Sequence, residues 1–146
     1  MDNLYSALKG KGYKKIKFKI SKTQHLLIKG KINGVEGNFI LDTGASNSCV
    51  DFEGIQHFKL AAADSDTRAA GAGGIGMLTQ TSVKNTLKLG RWSTKKLGLV
   101  IFDMSHVNAA LRQYNAKPVH GIIGADILMK GKAIIDYHNN CFYLKK

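Results

Sequence analysis

Proline is almost missing from this chain, at one residue in 146, and acids are scarce, ten against twenty-two lysines and arginines. With so little proline, the sixteen glycines must make most of the tight turns, the balance of a small β protein. No apolar run approaches the roughly 20 residues of a membrane-spanning helix. Met1-Asp2-Asn3-Leu4-Tyr5-Ser6-Ala7-Leu8-Lys9 has no apolar stretch like that of a secretory leader. A cytoplasmic location away from membranes is therefore expected. The two cysteines, Cys49 and Cys141, lack metal-ligand spacing, and none of His25, His57, His106, His120 and His138 is paired at such spacing. No metal or other cofactor is expected, and free, partly buried thiols are favoured over a disulfide.

Hydrophobic residues make up 44% of the chain, which rules out a disordered polymer. The length fits a single domain over residues 1–146, with residues 1–13 as an N-terminal arm. The formal charge of +12 raises the question of nucleic-acid binding. The lysines are dispersed, however, and several alternate with apolar residues, as in Lys15-Ile16-Lys17-Phe18-Lys19-Ile20. That is the pattern of a half-buried strand with a charged outer face, where lysine also blocks edge-to-edge pairing. No basic cluster is interleaved with stacking aromatics, so a nucleic-acid partner is disfavoured.

Strands are expected over residues 14–20, 25–32 and 35–41. Asn33-Gly34 joins the last two as a hairpin, because both residues tolerate positive φ. Residues 48–52 suit a short strand, 54–60 a helical turn and 61–68 a loop of small and polar residues. The glycine-rich run of residues 69–77 is a poor helix and suits a hairpin tip leading into a strand over 78–89. Gly90-Arg91 is a turn and 97–102 an apolar strand. Residues 105–114 read as a helix with Ser105 as cap and Val107, Ala110 and Leu111 on one face. A short buried strand, His120-Gly121-Ile122-Ile123-Gly124, leads into a helix over 125–130. Residues 133–137 and 141–144 form a last hairpin.

The chemistry concentrates in Phe39-Ile40-Leu41-Asp42-Thr43-Gly44-Ala45-Ser46. Asp and Gly in a turn are common. Here the acid stands at the mouth of a buried strand, where backbone N–H groups can hold a carboxylate. The glycine allows close backbone approach, and the small residues after it leave room for a substrate. A pair of such carboxylates sharing one proton and one water can hydrolyse a peptide bond.

This segment resembles the Asp-Thr/Ser-Gly-Ala motif of retroviral-protease-type aspartic proteases, including the retroviral-protease-like domain of DNA-damage-inducible proteins and small bacterial relatives. Residues 69–77 resemble that family's glycine-rich flap. Gly121-Ile122-Ile123-Gly124-Ala125-Asp126-Ile127-Leu128 resembles its apolar-apolar-Gly signature near the C-terminus. The likeness spans about residues 32–144 and implies an all-β closed acid-protease barrel with a flap hairpin and two or three short helices. It implies Asp42 as catalytic acid, Thr43 locking two catalytic loops together, and Gly44 with its N–H near the dyad. Ala45 and Ser46 would border the substrate cleft, and Ala72, Gly73, Gly74 and Ile75 would form the flap tip over an extended peptide or protein substrate. There is only one Asp-Thr-Gly, and neither Asp126 nor Asp136 is followed by Thr/Ser-Gly. Asp126 is expected to cap or orient the short helix, and Asp136 to lie at a strand end. The second carboxylate would then come from another copy, giving a homodimeric aspartic endopeptidase. The other function class is a non-catalytic or monomeric peptide-binding relative of the same fold. The N-terminal arm and residues 97–118 exceed what retroviral enzymes carry. A phosphate loop at residues 71–76 lacks the Gly-Lys-Ser/Thr ending, and Ser46 lacks a nucleophile-elbow pattern.

Overall fold

A computed structural model of the chain describes residues 3–71 and 74–146, with side chains described outside the stretch 64–78. In chain order the elements are α1 (Asn3–Gly10), β1 (Tyr13–Lys17), β2 (Lys19–Ile20), β3 (Leu26–Ile32), β4 (Val35–Leu41), β5 (Cys49–Val50) and α2 (Glu53–His57). They continue with β6 (Ala63–Gly71), β7 (Gly74–Leu89), β8 (Trp92–Ile101), α3 (Ser105–Gln113), β9 (Gly121–Ile123), α4 (Ala125–Lys130), β10 (Ile134–Asp136) and β11 (Cys141–Lys145).

Six strands close a barrel in the order β3-β4-β9-β5-β8-β7, and β7 returns to β3 through Lys31↔Lys88 and Ile32↔Leu87. The β4–β9 and β5–β8 pairs are parallel and the other four are antiparallel. The β3–β4 hairpin turns at Asn33 (φ 52°) and Gly34 (φ 82°), the two positive-φ residues that such a turn requires. Asn33 is anchored further: its amide donates to the Phe58 carbonyl and to Asn85 Oδ1, both at 3.0 Å.

Strand periodicity decides what fills the barrel. Along β3, Leu26, Ile28, Gly30 and Ile32 turn inward while Lys29 and Lys31 stay exposed. Phe39 and Phe58, both fully buried, stack at 5.9 Å within this core beside Leu87, Leu89 and Trp92. A second apolar cluster lies on the outer face of β4 and β9 beneath α3. This is why β4 ends in three consecutive buried residues, Phe39, Ile40 and Leu41, instead of alternating. A third, small cluster seats Leu8 of α1 on Cys141 and Tyr143 of β11.

Several expectations are corrected. The strand expected over residues 14–20 is two strands in two sheets: β1 pairs with β11 and β2 with β3, and the chain changes sheet at Phe18, whose N–H donates to the Asn140 carbonyl at 3.0 Å. Residues 61–68, expected as a loop, contain the start of β6; its pairing with β7 supplies an order that local propensity does not. Ser105 does not cap α3. Met104 occupies that position, and the Ser105 hydroxyl donates to Asp103. Within α3, Asn108 and Leu111 are buried, Val107 is half-buried and Ala110 is exposed. β11 is the central strand of a three-stranded sheet, with β1 on one edge and β10 on the other. Among the described residues no helix is long and apolar enough to cross a membrane.

Candidate active site

Asp42 directly follows β4. Its N–H donates to the Ile123 carbonyl at 3.0 Å, which extends the β4–β9 ladder by one residue. Strand alternation therefore puts its side chain on the face of Ile40, opposite the barrel interior reached by Phe39 and Leu41. The chain then folds back at once: Ala45 N–H reaches the Asp42 carbonyl at 3.3 Å, and Gly44 N–H donates to Asp42 Oδ1 at 2.8 Å. A Cβ at Gly44 would meet that same oxygen at 3.3 Å, so glycine keeps this approach open. Asp42, Thr43, Gly44 and Ser46 are exposed, and Ala45 is half-buried against the cluster under α3.

The loop is braced from behind by the start of α4. Ala125 N–H donates to the Ala45 carbonyl at 2.7 Å. Gly124 lies so close that an added Cβ would sit 2.6 Å from that carbonyl oxygen. Ser48, fully buried, donates its N–H and its hydroxyl to the two carboxylate oxygens of Asp126, at 3.0 and 2.8 Å, and accepts from Gly124 N–H at 3.0 Å. Asp126 thus reaches across to the Asp42 loop instead of capping its own helix, where Gly124 holds the cap position without any side-chain bond. Sequence reading missed Ser48 altogether. The available signal was an acid just beyond a glycine-bounded buried strand, a position that faces whatever loop lies alongside. Asp136 does end a strand, where the Asn139 amide and N–H hold its carboxylate at 2.8 and 3.1 Å and pull its pKa below the ordinary aspartate value.

Asp42, Thr43, Gly44, Ala45 and Ser46 form one loop. Of the four residues expected at the flap tip, Ala72 and Gly73 lie outside the described residues. Gly74 begins β7 opposite Gly71, and Ile75 follows it; both lie beyond Gln80↔Ile101, the last pairing of β7 with β8, on the part of the β6–β7 hairpin that extends past the barrel. Cys49 and Cys141 are free and buried. Burial pushes the Cys49 thiol up to about 12, and the nearby charges of Asp126 and Asp42 add to the shift. Among the described residues no cluster of His, Cys, Asp and Glu could hold a metal ion. Away from the Asp42 loop, a cleft of about 440 Å³ is lined by Asn38, Asp51, Glu53, Arg112, Lys117 and His120 among others.

A family profile described as aspartyl protease matches residues 28–127, from β3 through the Asp42 loop to α4. The chain belongs to the aspartyl protease family. Its fold is shared by a retropepsin-like aspartic protease from Rickettsia conorii, with a TM-score of 0.60 and 17% identity over 90% of this chain and 91% of that one. The retroviral protease-like domain of Ddi1 from Leishmania major superposes with a TM-score of 0.58 and 18% identity over 86% and 90%. EIAV protease, solved with the inhibitor HBY-793, gives 0.50 and 24% identity over 74% and 88%. A comparison with curated proteins found no match. In this aspartyl protease the N-terminal arm of residues 1–13 contains α1, which seats Leu8 on β11, and leads into β1, while residues 97–118 contain the end of β8 and α3, which lies over the outer face of β4 and β9.

Proposed function

We propose that this aspartyl protease is an active endopeptidase whose catalytic dyad is formed by Asp42 from two copies of the chain. The observation that carries the reading is the Asp42 loop: an exposed carboxylate at a strand end, with one oxygen held by Gly44 N–H and the loop fixed by Ser48, Asp126 and Gly124. The two carboxylates share one proton. The ionised one takes a proton from a water as its oxygen attacks the peptide carbonyl, and the protonated one gives its proton to the carbonyl oxygen. Collapse of the tetrahedral species breaks the C–N bond and passes a proton to the leaving amine.

A second copy is needed because the chain's other late acids are committed, Asp126 to Ser48 and Asp136 to Asn139. Two-fold symmetry sets Asp42 against its own copy, with Thr43 tying the two loops together. β11 has both edges occupied within its own chain, so the copies meet through the surface around the loop of residues 42–46 instead of through an added terminal strand. Ala45 and Ser46 border the cleft, and residues 72–75 close over an extended peptide held by backbone hydrogen bonds.

Light scattering across a concentration series, with and without a statine-type transition-state mimic, tests this reading. A dimer, or a monomer driven to dimer by the mimic, is expected. A monomer indifferent to the mimic leaves Asp42 without a partner and moves the function to peptide binding without cleavage. Asp42→Asn should abolish cleavage with the fold intact, and retained cleavage would remove Asp42 from the mechanism.

A further inference from the structure

The outer face that carries Asp42 is closed from within the chain. Ile40 precedes Asp42 by two residues and leaves β4 on the same side, and Ile122 is paired with it on β9. Two strand residues span about 7 Å, so these isoleucines are apolar ground one strand repeat from the carboxylate, on its own face. A peptide residue adjoining the scissile bond would lay its side chain there. That ground is already covered. Ile40 and Ile122 are only 4% and 6% exposed, buried in one cluster with Met104, Leu111 and Val119, and Val107 of α3 packs against the same group.

The cover is fixed in place. Asp51 Oδ1 accepts from Met104 N–H at 3.2 Å, which holds the start of α3 to the end of β5. The Asn108 amide closes a two-way bond with Val119, accepting its N–H at 2.7 Å and donating to its carbonyl at 3.2 Å. A helix held at its own entry and by the segment that leads into β9 is a wall, not a lid. Ala45, on the loop that carries Asp42, touches the same cluster, so the wall and the catalytic loop are continuous.

We infer that α3 fills the apolar subsite beside Asp42, so that this protease cuts peptide bonds flanked by small residues such as Ala, Gly or Ser and rejects bulky ones. The inference rests on the peptidase reading above. In a two-fold dimer each copy brings its own α3, so the restriction falls on both sides of the cleaved bond.

The test uses the full chain and peptides that differ only in the two residues flanking the cleaved bond, Ala-Ala against Phe-Phe. The Ala peptide is expected to give a kcat/KM at least about tenfold higher, the scale on which an apolar pocket discriminates by size. Val107→Ala and Leu111→Ala should each raise the Phe/Ala ratio by about tenfold. Leu111 is fully buried and its truncation can unfold the chain, whereas Val107 is half-buried and keeps the comparison available. Equal or faster cleavage of the Phe peptide by the wild type overturns the inference, as does a ratio unmoved in folded Val107→Ala. Calorimetry with statine-type mimics bearing a methyl or a benzyl side chain asks the same question without turnover. Tighter binding of the methyl mimic supports the inference, and tighter binding of the benzyl mimic overturns it while leaving the peptidase reading standing. If the protein neither cleaves nor binds any of these compounds, the peptidase reading falls and this inference falls with it.

Discussion

Replacing Asp126 probes the brace behind the Asp42 loop. The carboxylate accepts the N–H and the hydroxyl of Ser48, a residue with no solvent exposure. Hydrogen bonds to a charged group contribute about 1.5–3 kcal/mol each, and a buried donor left unsatisfied costs about as much. Asp126→Ala strands two buried donors at once, so the expected loss is about 3–5 kcal/mol. For a domain of this length one kcal/mol corresponds to about 3–4 °C in Tm, which places the Ala variant about 9–20 °C below the wild type. Asp126→Asn is milder. Its one carbonyl oxygen keeps one bond, and the Ser48 hydroxyl can turn to accept from the new amide, leaving a loss of about 1–2 kcal/mol. Thermal and urea unfolding of the three proteins measure this, with equal urea slopes showing that stability alone has changed. Peptide cleavage well below each Tm should fall further in Ala than in Asn, because the loop that presents Asp42 loosens. An Ala variant within about 0.5 kcal/mol of wild type, the ordinary surface range, would refute the reasoning: the Asp126–Ser48 contact would then add nothing over solvent.

Three other outcomes follow from the same structure. Cys49 and Cys141 are buried and the Cys49 thiol is pushed up to about 12, so a thiol reagent at neutral pH should label neither until the chain is unfolded; labelling of the native protein at the rate of a free thiol would contradict the fold. Burial, and after it the neighbouring His57 stacked at 4.5 Å, hold the His120 pKa below its ordinary 6.5. Because the unfolded chain takes up that proton first, stability should fall as pH drops below 6.5, and His120→Gln should fall less steeply; parallel Tm–pH curves would contradict this. Cleavage should be greatest at acidic to mildly acidic pH, where one carboxyl of the dyad keeps its proton, and full activity only above pH 9 would exclude a carboxylate pair.

What the sequence shows depends on how local the cause is. Asn33-Gly34 announces its hairpin because both positive-φ positions lie side by side in the chain, and β4 matches its expected bounds because both its turn and its apolar run are local. Residues 14–20 alternate without a break, so nothing nearby reveals that Phe18 divides them between two sheets; that division is set by β11, more than a hundred residues away. β6 is invisible for the same reason, since Ala63 and its neighbours have little strand propensity and gain order only from β7. The Asp-Thr-Gly-Ala loop can be read directly, because its turn geometry lies within four residues. Its brace cannot, because Ser48 and Asp126 are 78 positions apart. The role of α3 is hidden for a different reason: its periodicity shows that one face is apolar but not that this face lands on Ile40 and Ile122.

The shared dyad is tested most directly by mixing. Inactive Asp42→Asn chain is titrated into a fixed amount of wild-type chain near the concentration at which activity appears, and the rate per wild-type chain is followed with a fluorogenic peptide. If each site needs Asp42 from both copies, mixed dimers are dead and the rate falls steeply as the variant is added, toward zero in large excess. A rate per wild-type chain that does not change with added variant would mean that one chain carries the whole site, contradicting the account.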